Sequence, residues 1–223
     1  GEISLAHLGV LFLDELPEFK KNTLEVLRGP LESRKVTISR VNSVVTYPSN
    51  FMLIASMNPC RCGYYGSDDN RCRCSESSIN NYLSKISGPL LDRIDLQIEV
   101  KQVTYKKISS KENSETSDRI KKRVNVARNI QNERYSNLEI YSNSELTPKL
   151  IEKYCKIDNE SKELLQKVFE KFGLSGRAYS RILKLARTIA DLDEEENIMK
   201  KHIAEAIQYR VLDRKYWRSK YWK

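Results

Sequence analysis

The sequence predicts an α/β chain in which an incomplete parallel-sheet core carrying a β-hairpin is followed by an all-α domain. Three observations predict it. Apolar runs that end abruptly in polar residues recur in the first hundred residues, a stretch of strict alternation lies between two of them, and beyond residue 118 the apolar spacing is helical throughout.

The first run, Val10 to Leu13 in GVLFLDELPEF, is ended by Asp14 and Glu15. Four large apolar residues read as a strand buried on both faces, its C-terminal end opening into the crevice where parallel sheets bind ligands. Asn22 to Leu27 has helical spacing, which Gly29-Pro30 interrupts. KVTISRVNSVVTY, from Lys35 to Tyr47, alternates as a hairpin with Val41-Asn42-Ser43 near its tip. FMLIASMNP is a second buried strand, and IDLQIEV, from Ile94 to Val100, is a third. The composition then turns to Lys, Ser, Glu, Asn and Thr, which reads as a linker over 105–118 between a core at 1–104 and a helical domain at 119–223. Within that domain Thr147-Pro148 and Ser175 are helix starts, since a hydroxyl accepts from unpaired backbone donors and proline fits the first turn. Ala178 to Leu192 lines Ile182, Leu185, Ala186 and Ile189 on one face.

At 223 residues the chain is long enough to bury a core. It opens on Gly1, without the charged-then-apolar start of a signal peptide or a bilayer-spanning apolar run, and so reads as part of a longer soluble, cytoplasmic polypeptide with no membrane partner. The net charge of +9 is uneven: residues 1–100 hold 11 basic and 12 acidic side chains, leaving 28 against 18 for the remainder. A basic surplus suits a polyanion such as nucleic acid, although solvated helix faces rich in lysine are its commoner origin.

Paired carboxylates at a strand end suit nucleotide hydrolysis. Asp14 would hold the water shell of Mg²⁺, and Glu15 would polarise the attacking water. Asn58, after the second apolar run, is an uncharged group able to orient a water beside a γ-phosphate. Arg93 in GPLLDRIDL precedes the third run, where a guanidinium on a subunit edge could reach a neighbour's γ-phosphate. Arg177 in LSGRAYSRILKLA lies in a helix first turn, poised toward the nucleotide. Singly, each arginine reads more readily as a surface ion pair, and the Asp-Glu run as readily as a strand leading into a capped helix.

In this order the motifs resemble the AAA+ ATPases of the magnesium-chelatase-like group, in particular its bacterial ComM (YifB) branch. The resemblance covers nearly the whole chain, on GEISLAHLGVLFLDELPEF, FMLIASMNPCRCGYYG, GPLLDRIDLQIEV and GLSGRAYSRILKLARTIADL. It implies Asp14 and Glu15 as Walker B, Asn58 as sensor 1, Arg93 as an arginine finger acting in trans, and Arg177 as sensor 2, with Arg181 as the alternative one turn further on. It implies ATP and Mg²⁺ as cofactors, a self-assembled ring of hexameric size, an all-α lid, and a pre-sensor-1 hairpin whose Arg40 contacts a DNA backbone. The branch implies single-stranded or branched DNA as substrate, with branch migration of recombination intermediates in natural transformation as its role. No G-x-x-x-x-G-K-[ST] occurs, so the phosphate-cradling loop is expected outside the chain, and the chain alone is expected to be inactive. Two alternatives stay open: a motor subunit for magnesium insertion into a porphyrin, and a non-catalytic, zinc-bearing DNA-binding or assembly module.

Cys60, Cys62, Cys72 and Cys74 form C-x-C-x₉-C-x-C. In a reducing compartment four clustered thiols favour a metal over disulfides, and four thiolates can close a tetrahedral zinc site. One intervening residue bends the chain tightly and works against both sulfurs reaching one ion, so a reduced, metal-free loop is the alternative. Cys155 reads as a small buried apolar residue, and His7 and His202 stand apart from the cysteines. The tail interleaves Arg210, Arg214, Lys215, Arg218 and Lys220 with Tyr216, Trp217, Tyr221 and Trp222. That mixture suits stacking on single-stranded nucleic acid, or a last helix packed on the lid.

Overall fold

The computed structural model describes residues 1–41, 43–67, 71–100, 103, 105, 109 and 114–210, which fall into two compact units, one over Gly1–Ile94 and the other beginning at Asp95.

In the first unit a short helix, α1 (Glu2–Leu5), leads into strand β1 (Val10–Leu13), a 3-10 turn (Leu16–Glu18), and helices α2 (Lys21–Val26) and α3 (Arg28–Ser33). Gly29-Pro30 does not end the helical region. Pro30 falls in the first turn of α3, where its missing N–H costs no hydrogen bond. Arg34 closes α3 in the left-handed region at φ 57°, turning the chain into β2 (Lys35–Arg40), which pairs antiparallel with β3 (Ser43–Pro48). Arg40 lies opposite Ser43 and Thr37 opposite Thr46, whose hydroxyls meet at 3.0 Å. Strand β4 (Met52–Ala55) returns parallel to β1 with Val10 opposite Met52 and Leu13 opposite Ala55. Helices α4 (Glu76–Leu83) and α5 (Gly88–Leu91) follow, each capped by a serine hydroxyl, Ser75 and Ser87.

The core of this unit gathers Leu16, Leu24, Leu27, Ile86, Leu90 and Leu91. Leu11 and Leu13 pack against it from β1, but Val10 and Phe12 are 56% and 59% exposed, as are Met52 and Ile54 beside them. Strand β1 is therefore buried on one face only. Alternation sends its even-numbered residues to the other face, which nothing in the described unit covers.

In the second unit IDLQIEV forms no ladder among the described residues. Gln97 N–H donates to Tyr209 O at 2.9 Å, while Leu96, Ile98 and Val100 stay exposed. Helices α6 (Ser117–Arg134), α7 (Pro148–Tyr154), α8 (Asn159–Phe172), α9 (Gly176–Leu192) and α10 (Lys200–Gln208) lie further along. The expected starts at Thr147-Pro148 and Ser175 are where α7 and α9 begin, and Ser175 Oγ accepts from Ala178 N–H at 3.2 Å. Ile182, Ala186 and Ile189 are buried from α9 against Ile203, Ala206 and Ile207 of α10 and Leu165 of α8.

A charged network lies inside this unit. Asp191, fully buried, accepts from Arg134 Nη1 at 2.9 Å, Arg187 Nε at 3.1 Å and Asn143 Nδ2 at 2.8 Å. Arg187 in turn caps the carbonyls of Glu195 and Glu196, and Tyr135 Oη donates to Asn143 Oδ1 at 2.6 Å. Cys155 is buried as expected, and burial pushes its thiol up to about 11. Arg210 is buried rather than offered to a polyanion, and residues 211–223 lie outside the described residues. Among the described residues no helix is long and apolar enough to cross a membrane.

Candidate functional site

Because β1 and β4 run parallel and end level, the residues after each strand emerge side by side. Asp14 and Ser56 are those residues. The Ser56 hydroxyl donates to Asp14 Oδ1, and the same oxygen accepts the Glu15 N–H at 3.0 Å. The backbone locks this arrangement: Ser56 N–H donates to Leu13 O at 3.0 Å and Leu16 N–H to Ser56 O at 2.9 Å. Both carboxylates are exposed. Glu15 sits in the left-handed region at φ 51°, ψ 50°, a conformation costing about 1 kcal/mol for a residue with a side chain. The reversal it makes buries Leu16 and Pro17 directly beneath it. An exposed carboxylate steered by two donors, beside a second carboxylate and a hydroxyl, is a donor set suited to a hard cation that keeps its waters.

Asn58 stands two residues beyond Ser56, exposed, with its backbone facing the hydroxyl of buried Tyr82. Burial and the negative charge of Glu18 push that hydroxyl above the usual tyrosine range. The structure thus brings Asp14, Glu15, Ser56 and Asn58 to one end of one strand pair. Sequence reasoning passed over Ser56, although aligning LFLDE with LIASMN as parallel neighbours puts it level with Asp14.

Arg93 belongs to the same unit but does not precede a strand. It follows α5, is only 11% exposed, and donates from Nη1 to Pro89 O at 2.7 Å and from Nη2 to Glu32. Glu32 lies 61 residues away in sequence, which is why no local pattern revealed it. Arg177 and Arg181 lie in the other unit, in the first turns of α9; Arg181 Nη1 donates to Asp95 at 2.5 Å. Arg40 is exposed at the last pair of the hairpin ladder, beside a wholly exposed Val41.

The four clustered cysteines do converge. Sγ separations are 3.3 Å for Cys60–Cys62, 3.7 Å for Cys60–Cys72 and 3.6 Å for Cys62–Cys72, and all four sulfurs lie within 4.8 Å of one another. The single residue between each pair does not prevent this, because Gly63 at φ +82° closes a turn from its N–H to Cys60 O at 3.0 Å. The Tyr64 N–H, followed by the Cys60 thiol, lowers the Cys62 thiol to about 6; the Cys74 N–H acts in the same sense on Cys72, but desolvation and the neighbouring thiols outweigh it and push Cys72 up to about 12. His7 and His202 are not part of the cluster: His7 Nδ1 accepts from Asn50 N–H at 3.1 Å, and His202 Nδ1 from Met199 N–H at 3.0 Å.

Residues 1–108 match the family described as magnesium chelatase, subunit ChlI, and residues 114–210 match the C-terminal part of the same subunit. The chain belongs to the magnesium chelatase ChlI family. Within this family it is similar to the competence protein ComM of Haemophilus influenzae, 46% identical over 215 residues that make up 96% of this chain and 41% of that protein. It is similar at 43% over 218 residues to the protein YifB of Escherichia coli, and at 32% over 210 residues to Rv2897c of Mycobacterium tuberculosis, each again over 41% of the relative. The chain therefore spans about two fifths of the length of these curated relatives. The parallel strand pair, the hairpin and the following helices are consistent with the AAA+-like fold of the ChlI family.

Proposed function

We propose that the chain supplies the Walker B, sensor 1, arginine-finger and sensor 2 residues of an AAA+ ATPase motor that remodels DNA, in the manner of branch migration during natural transformation. The observation that carries this reading is the strand-end cluster: a steered, exposed Asp14, a Glu15 fixed by its own backbone, and Asn58 at the same end of the strand pair. ATP with Mg²⁺ supplies the phosphoryl chemistry when bound. Asp14 holds the water shell of the cation, Glu15 polarises the attacking water, and Asn58 orients it. Arg93 acts on the site of the neighbouring subunit in a ring, in our reading a hexamer, and must exchange Glu32 for phosphate to do so. Arg177 serves as sensor 2, with Arg181, whose Nη1 meets Asp95, as the alternative one turn further on. With no phosphate-cradling glycine-lysine loop in its sequence, the chain by itself neither hydrolyses ATP nor binds it tightly.

DNA is favoured as the substrate over a porphyrin by the name of the Haemophilus relative, a competence protein. The exposed Arg40 and the exposed basic face of α6, with Lys121, Lys122 and Arg128, agree with contact to a phosphate backbone. In a polypeptide at the full length of these relatives, Glu15→Gln is expected to lower kcat for ATP about 100-fold or more, and Arg93→Ala about 1000-fold. Mixing the two inactive variants should restore activity, since each supplies what the other lacks across the shared site. An unchanged kcat in Glu15→Gln, or no recovery on mixing, refutes the assignment. Arg40→Ala should weaken DNA binding and reduce its salt dependence, so that the loss shrinks as salt rises; unaltered binding removes the hairpin from the mechanism.

A further inference from the structure

We propose that Cys60, Cys62, Cys72 and Cys74 bind one Zn²⁺, and that this metal-closed loop is the device that fixes Asn58 at the end of β4. The separations carry the first half. A tetrahedral Zn²⁺ with Zn–S bonds of about 2.3 Å places its sulfurs about 3.8 Å apart. The three measured pairs, at 3.3, 3.7 and 3.6 Å, are already close to that edge length and far longer than a disulfide bond.

Charge balance points the same way. Four thiolates around Zn²⁺ leave a net charge of −2, and each Cys-x-Cys pair carries an arginine between its members, Arg61 and Arg73, with Arg71 stacked on the Tyr64 ring at 4.5 Å. Soft thiolates in this number select zinc, or iron as the competing ion, over magnesium or calcium. Cys60 is fully buried against Ile79, Tyr82 and Leu83 whereas Cys62 is exposed, so the site is anchored on α4 and reachable from solvent.

The second half, which rests on the ATPase reading, follows from connectivity. Only Pro59 separates Asn58 from Cys60, and the Asn58 backbone faces the hydroxyl of Tyr82, which packs on Cys60. Gly63, at the turn, faces Asn58 closely enough that an added Cβ would lie 3.9 Å from its Oδ1. Asn58 is thus held between β4 on one side and the cysteine loop on the other. Without the ion, the two Cys-x-Cys segments are joined by thiol contacts and by Arg71 on Tyr64, and the hold on Asn58 from the loop side loosens.

The test uses the complete polypeptide, purified without chelator. Elemental analysis should find one zinc per chain, and Co²⁺ exchanged into the site should give the absorption of a tetrahedral tetrathiolate. Because Cys60 is part of the packing, the exposed Cys62 is the residue to change: Cys62→Ser should weaken zinc binding about 10–100-fold. Stripping zinc from the unmutated protein should lower kcat for ATP about tenfold with KM little changed, and zinc should restore it. Freshly prepared protein holding iron, a disulfide or no metal, together with no cobalt spectrum, overturns the zinc site. Stoichiometric zinc whose removal leaves kcat unaltered overturns the link to Asn58. Zinc bound to a protein that has no ATPase activity at all refutes the motor reading and with it the link, while the metal site stands.

Discussion

Glu15 combines an unfavourable backbone conformation with a proposed chemical role, and the two can be separated. Glycine adopts φ 51° without penalty. Glu15→Gly is therefore expected to leave thermal stability unchanged or raise it by about 1 kcal/mol, while abolishing ATP turnover in the complete assembly; calorimetry and a turnover assay on one preparation check both. A fall in stability would mean that the Glu15 side chain holds the turn together. Asp191 presents the opposite case. Two guanidinium groups and an amide converge on it in a dry interior, so Asp191→Ala leaves Arg134 and Arg187 without their counter-charge. The expected loss is about 3–5 kcal/mol of stability, read from the urea midpoint. Nothing local in the sequence pointed to Asp191: an Arg and an Asp four apart on a helix read as a solvated pair, and the partners that bury them come from Arg134 and Asn143, far upstream.

At the scale of elements, periodicity was a reliable guide wherever the partner was near in sequence. The hairpin β2–β3 was legible because its alternation and its turn are contiguous, and α9 because a stripe of Ile182, Leu185, Ala186 and Ile189 needs only a helix to align it. In IDLQIEV alternation signals a strand, yet no ladder forms there among the described residues, since alternation cannot supply the neighbour whose N–H and C=O groups would complete one. Periodicity misled at β1 for a related reason: four apolar residues say nothing about how many faces are covered. Helix caps were legible individually. Ser175 closes the N-terminus of α9, whose first turn bears Arg177, so Ser175→Ala should cost about 1 kcal/mol and fray that turn; faster hydrogen exchange at Ala178 than at Ile189 would report it.

At the scale of the whole molecule, three carboxylates with lowered pKa values among the described residues contribute to the loss of stability in acid. Ser87 and then Arg28 act on Glu25, the Ser161 backbone N–H on Asp158, and Lys201 on Asp193, each favouring the ionised form in the folded chain. A depressed folded value means that the unfolded chain binds protons first, so stability is complete above about pH 5 and declines as pH falls through 4 and below. Urea titrations between pH 7 and 3 should show that decline, and Lys201→Met should make it shallower. The strand pair carries a further implication, for insertions and deletions. Its hydrogen bonds fix which residue after β4 stands abreast of Asp14. Losing a single residue from Met52–Ala55 would draw Met57 into the place of Ser56, put a thioether where a hydroxyl now steers the carboxylate, and turn the side chains of the segment over. Point substitutions along β4 can be absorbed by packing; a change in its length cannot, and natural variation in chain length should fall in the hairpin and in the span between Cys62 and Cys72 instead.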